Sequence, residues 1–122
     1  MITPASERKT ILVVDDEPEV RDSTVLLLEA LDYEVLQAPD APSAIAVLES
    51  GGDVDLLFSD VFLPGGMSGA DLARAVRSRH PALKVLLTSG RPETVQGDGF
   101  PVIGKPFRMN DLGEKLQTVL QS

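Results

Sequence analysis

Short apolar runs alternate with amphipathic stretches along the whole chain, and that alternation permits few architectures. Residues 11–14, Ile-Leu-Val-Val, form a continuous apolar run of the kind seen in a strand covered on both faces. Residues 18–31 follow with Val20, Thr24, Leu27, Leu28 and Leu31 at helical spacing, and Pro18 is tolerated in a first turn. Residues 33–38 predict a second strand. Asp40 then predicts the cap of a helix with Ala41, Ala44, Ile45 and Leu48 on one side, stopped by Gly51-Gly52.

The same step recurs. Residues 54–59 predict a buried strand and residues 68–79 a helix, opened by Ser68-Gly69-Ala70-Asp71, a capping box with Asp in place of Glu, and blocked by Pro81. Residues 83–88 predict a fourth strand, residues 101–103 a weak fifth, and residues 110–120 a last helix with Leu112, Leu116, Val119 and Leu120 on its apolar stripe. Strands alternating with helices require a parallel sheet with helices on both faces, an α/β doubly wound domain. The expected organisation is an extension at residues 1–9 and one domain at residues 10–122.

Composition narrows the function classes. A formal charge of −8 argues against a surface that neutralises nucleic-acid phosphates, so no direct nucleic-acid partner is expected. No apolar run approaches the ~20 residues needed to cross a bilayer, and the start of the chain lacks a basic-then-apolar pattern. No membrane association and a cytoplasmic location are therefore expected. Cysteine is absent, which excludes thiolate chemistry.

In an open parallel sheet, functional groups collect beyond the carboxyl ends of the strands. After the first predicted strand stand Asp15-Asp16-Glu17; after the third, Asp60; after the fourth, Thr88-Ser89-Gly90; after the fifth, Lys105-Pro106-Phe107. Neighbouring carboxylates repel one another, and a divalent cation is the natural compensation. Mg²⁺ needs only a few oxygen ligands and keeps several waters, which leaves room for a phosphoryl oxygen. A carboxylate can attack phosphorus to form an acyl phosphate where metal and ammonium neutralise the transferring group, and Lys105 and Thr88 have the chemistry to assist.

Taken together, Asp15-Asp16, Asp60 with Leu63-Pro64-Gly65, Thr88-Ser89-Gly90 and Lys105-Pro106-Phe107 resemble the signature of CheY-like receiver domains of two-component signalling, over nearly the whole chain. The resemblance implies a flavodoxin-like five-stranded sheet of order 2-1-3-4-5. It implies that Asp15, Asp16, Asp60 and the main-chain carbonyl of Phe62 hold Mg²⁺ or Mn²⁺. Asp60 would accept the phosphoryl group, Lys105 would pair with it and Thr88 would hydrogen-bond it. The implied donor is a histidine kinase or a histidine phosphotransfer protein, possession of a further output being left open. The segment around Gly99–Lys105 resembles receivers attached to hybrid sensor kinases.

Two positions depart from the family pattern. Val102 stands where an aromatic or His is common, and Phe100, two residues earlier, would share its face at a displacement of about 6.6 Å. Thr88 and Lys105 are only 17 positions apart, so the fourth helix is expected to be short or missing, and a monomer is expected because that helix would build a dimer face. A rival class, a Mg²⁺-dependent phosphohydrolase working through a phospho-aspartate, would place a second Asp two residues after Asp60, where this chain has Phe62. His80 sits before Pro81 at a helix end and is not a phosphoryl donor candidate.

Overall fold

Every residue of the first apolar run is buried because the strand it forms lies inside the sheet with helices above and below. The computed structural model describes residues 8–90 and 99–122. Within them β1 (Thr10–Val14), β2 (Glu34–Ala38), β3 (Leu56–Asp60), β4 (Lys84–Ser89) and β5 (Val102–Gly104) pair in parallel in the order β2-β1-β3-β4-β5. The described helices are α1 (Pro18–Ala30), α2 (Ala41–Glu49), α3 (Gly69–Arg77) and α4 (Met109–Gln121), with a short 3₁₀ turn at Pro64–Gly66. The expected shortening of the crossover before β5 falls on residues 91–98, outside the described residues, as do residues 1–7 of the expected extension.

Side chains alternate across a strand, so each central strand feeds two cores. Ile11, Val13, Leu56, Phe58 and Leu86 pack with Leu28 of α1 and with Leu112, Leu116 and Val119 of α4. Leu12, Val14, Leu57, Val85 and Leu87 pack on the other face with Ala41, Ala44 and Leu48 of α2 and with Leu72, Ala73 and Val76 of α3. Truncating a fully buried leucine such as Leu12 or Leu57 to Ala costs about 2–5 kcal/mol in such a core.

The caps expected from the sequence form. Asp40 Oδ1 accepts from Ser43 N at 2.8 Å, and Ser68 and Asp71 make a reciprocal capping box. These bonds favour the ionised carboxylates, so both Asp40 and Asp71 sit below the usual carboxylate range, each chiefly through its cap partner. The third strand is a correction. It runs over Leu56–Asp60 rather than 54–59, because Asp55 is occupied before the strand begins: its side chain accepts from Thr10 N and its own N donates to Thr10 O.

Candidate phosphoryl-acceptor site

Register alone brings the functional residues to one edge. Val14 pairs with Ser59, so Asp15 follows β1 at the level where Asp60 ends β3. Asp60 pairs directly with Thr88, and Ser89 pairs with Gly104, so Lys105 follows β5 at the same edge. Lys105 lies two strand spacings from β3, about 9.6 Å, and its long stem is what carries an ammonium back to the centre of the sheet.

The ammonium bridges two carboxylates. Lys105 Nζ donates to Asp60 Oδ2 at 2.7 Å and to Asp15 Oδ2 at 3.1 Å. The other oxygen of each carboxylate closes a turn with its own chain: Asp60 Oδ1 accepts from Phe62 N at 3.0 Å, and Asp15 Oδ1 accepts from Glu17 N at 2.9 Å. Both carboxylates are thus oriented in the same way. Burial is the largest single influence on Lys105 and opposes its charge. Hydrogen bonding and attraction from Asp60, then from Asp15, together outweigh it and hold the ammonium above the ordinary lysine range.

The backbone beneath Asp60 is equally constrained. Ser59 Oγ donates to Asp60 O at 2.9 Å, and Gly69 N donates to Val61 O at 2.7 Å. The first turn of α3 approaches so closely that a Cβ on Gly69 would stand 2.2 Å from Asp60 O. Only glycine fits there. Beside Asp60, Thr88 is buried and its Oγ1 meets no hydrogen-bond partner among the described residues. A hydroxyl left unpaired at that position is a donor in waiting.

Four of the expected site residues therefore converge: Asp15, Asp60, Thr88 and Lys105. Among the described residues no three acidic or histidine side chains converge closely enough to hold an ion unaided. The physical reason is the ammonium, which already bridges Asp15 and Asp60, while Asp16 is exposed and its carboxylate meets no partner among the described residues. Phe62 contributes its N–H to the Asp60 turn, and the residue is 65% exposed. The donor chemistry still fits Mg²⁺, which takes hard oxygens, needs only one or two carboxylates and keeps the rest of its shell as water.

Val102 and Phe100 do share a face, and both pack against the α2–α3 core. The Arg77 guanidinium of α3 stands 5.9 Å from the centre of the Phe100 ring. Sequence reasoning missed Ser59, Gly69 and Arg21, whose Nη1 donates to Asp15 O at 2.8 Å. The Gly that opens a helix right behind a capping Ser was visible, but what it must approach was not.

The family model described as "response regulator receiver domain" matches residues 11–117. The sensor kinase CckA of Brucella abortus is 32% identical over 126 residues, covering 98% of this chain and 13% of that protein. The chain spans about half the length of other curated relatives that it matches. The crystal structure of the receiver domain of the hybrid histidine kinase CckA superposes with a TM-score of 0.76 at 36% identity, covering 92% of this chain and 99% of that one. The response regulator TrrA of Thermotoga maritima, in complex with Mg²⁺-BeF, superposes with a TM-score of 0.80 at 29% identity, covering 91% and 98%. No helix among the described residues is long and apolar enough to cross a membrane.

Proposed function

Because this chain belongs to the response regulator receiver domain family of two-component signalling, we propose that Asp60 is its phosphoryl acceptor and that Lys105 and Thr88 read the phosphorylated state. The observation that carries the proposal is the shared ammonium. A carboxylate at the end of β3 is held by a turn through one oxygen and by Lys105 through the other, next to a buried hydroxyl with no partner among the described residues.

An Asp60 carboxylate oxygen attacks phosphorus, the new O–P bond forms, and the donor's N–P bond breaks with its electron pair returning to the imidazole nitrogen. Mg²⁺, when bound, supplies neutralisation of the charge gathering on the phosphoryl oxygens; Asp16, Asp60, the Phe62 carbonyl and Asp15 would hold it. Lys105 Nζ already touches Asp60 Oδ2 and needs only a small movement to pair with a phosphoryl oxygen. In doing so it weakens its bond to Asp15, so phosphorylation is transmitted to the β1 edge. Thr88, in register with Asp60, gains through the phosphoryl group an acceptor that the described residues do not give its hydroxyl.

The donor in this proposal is the phosphohistidine of a histidine kinase or phosphotransfer protein, and the location is the cytoplasm. The domain works as a switch, modified once per signalling event, and not as a turnover enzyme. Phe62, which stands two residues after Asp60, offers no acid for a phosphohydrolase cycle. Incubation with acetyl phosphate and Mg²⁺ followed by intact-mass measurement tests the proposal. One acid-labile phosphoryl group is expected on the wild type and none on Asp60→Asn; undiminished labelling of that variant would reject Asp60.

A further inference from the structure

Arg21 is a half-buried cation on the first turns of α1, and the phosphoryl chemistry proposed above does not use it. Its guanidinium forks. Nη1 donates to the main-chain carbonyl of Asp15 at 2.8 Å, and Nε donates to Gln37 Oε1, on β2, at 3.2 Å. Its backbone N donates to Glu17 O at 2.9 Å. One residue therefore grips the Asp15-Asp16-Glu17 segment at both ends.

The effect is greatest on Asp15. Its N donates to Ala38 O at 3.2 Å, its two carboxylate oxygens are taken by Glu17 N and Lys105 Nζ, and Arg21 takes its carbonyl. With every polar atom of Asp15 engaged, the plane of the peptide joining Asp15 to Asp16 is fixed. Asp16, exposed and without a side-chain partner among the described residues, is joined to that plane through its backbone N. The peptide plane that carries Asp16 is therefore held, through Asp15's carbonyl, by Arg21.

We infer that Arg21 is a positioning residue for the divalent cation: by holding the Asp15 carbonyl it presents Asp16 to the metal. The inference rests on the Mg²⁺-dependent acceptor function proposed above. Two opposite effects decide it. Arg21 is a cation bonded to the main chain of the acidic segment Asp15-Asp16-Glu17, so if charge were its only contribution, removing it would tighten binding of a divalent cation. If it positions Asp16, removing it loosens binding despite the gain in negative charge. Residues that orient metal ligands are worth about 10- to 100-fold in affinity.

The test measures Mn²⁺ binding by electron paramagnetic resonance and the Mg²⁺-induced rise in melting temperature, in wild type, Arg21→Gln and Arg21→Lys, well below the unfolding transition. Arg21→Gln is expected to bind Mn²⁺ about tenfold more weakly. The shortfall in its rate of labelling by acetyl phosphate should be larger at low Mg²⁺ than at saturating Mg²⁺, since mass action restores occupancy of a weakened site. Arg21→Lys keeps the charge but cannot donate to Asp15 and Gln37 from one planar fork, and about a threefold loss is expected. It also serves should Arg21→Gln fail to fold. Equal or tighter cation binding in the folded variants overturns the role assigned to Arg21 alone. A wild type that binds neither cation overturns the acceptor proposal with it.

Discussion

Gly69→Ala is the substitution whose consequences the structure specifies most closely. The added Cβ would stand 2.2 Å from Asp60 O and 3.0 Å from both Asp60 C and Ser59 Oγ. An ordinary carbon-to-oxygen contact is about 3.3 Å, so the two backbones must separate by roughly 1 Å. Neither side can yield cheaply, because the nearest atoms are main chain. Separation lengthens the 2.7 Å bond from Gly69 N to Val61 O until it is effectively lost. Overpacking of this kind costs about 1–3 kcal/mol and the lost bond about 1 kcal/mol more. The functional effect should be larger, because Asp60 moves with its carbonyl and a displacement near 1 Å costs about 10²-fold in rate. Urea unfolding gives the first quantity, and the initial rate of labelling by acetyl phosphate gives the second. A Gly69→Ala protein with wild-type stability and labelling rate would refute the claim that the approach of α3 sets the position of Asp60.

Asp16→Asn should raise the metal-free stability slightly and abolish the stabilisation that Mg²⁺ gives the wild type, about 1.4 kcal/mol at ten times the dissociation constant; melting curves with and without Mg²⁺ check this. Thr88→Val removes a buried hydroxyl that has no partner among the described residues, so the unphosphorylated domain should gain about 1 kcal/mol by urea unfolding while losing the change in amide exchange that phosphorylation brings. Lys105 has a folded-state pKa above its unfolded value, so its contribution to stability is complete below about pH 10.4 and is lost as pH rises through the raised value. Wild type should therefore weaken more steeply than Lys105→Met across that alkaline range in pH-dependent unfolding, and parallel curves would count against the bridge.

The site was legible in the sequence to the extent that it depends on strand ends. The apolar runs located β1, β3 and β4, and each run stops at a polar residue that the parallel register then aligns with its neighbours. Thr88 and Asp60 are far apart in the chain but adjacent because both end buried strands. Local chemistry was equally readable, as in the Asp40 and Ser68 caps, since partners lie within three residues. What could not be read was the use of each carboxylate. Asp15 and Asp16 are identical in sequence terms, yet one is 4% exposed and fully engaged while the other lies open. That difference arises from Lys105 and Arg21, which reach Asp15 from opposite sides of the sheet order. Gly69 was hidden for a similar reason. A glycine at the start of a helix is unremarkable until the backbone of a neighbouring strand is placed against it.

The location of the labelled carboxylate is the most direct test of the account as a whole. Borohydride reduces an aspartyl phosphate to homoserine, marking the residue that carried the phosphoryl group, and peptide fragmentation then reads its position. Treatment of the wild type with acetyl phosphate and Mg²⁺ should yield homoserine at position 60, with Asp15, Asp16 and the other acidic residues unchanged. Homoserine at any other position, with position 60 still aspartate, would contradict it.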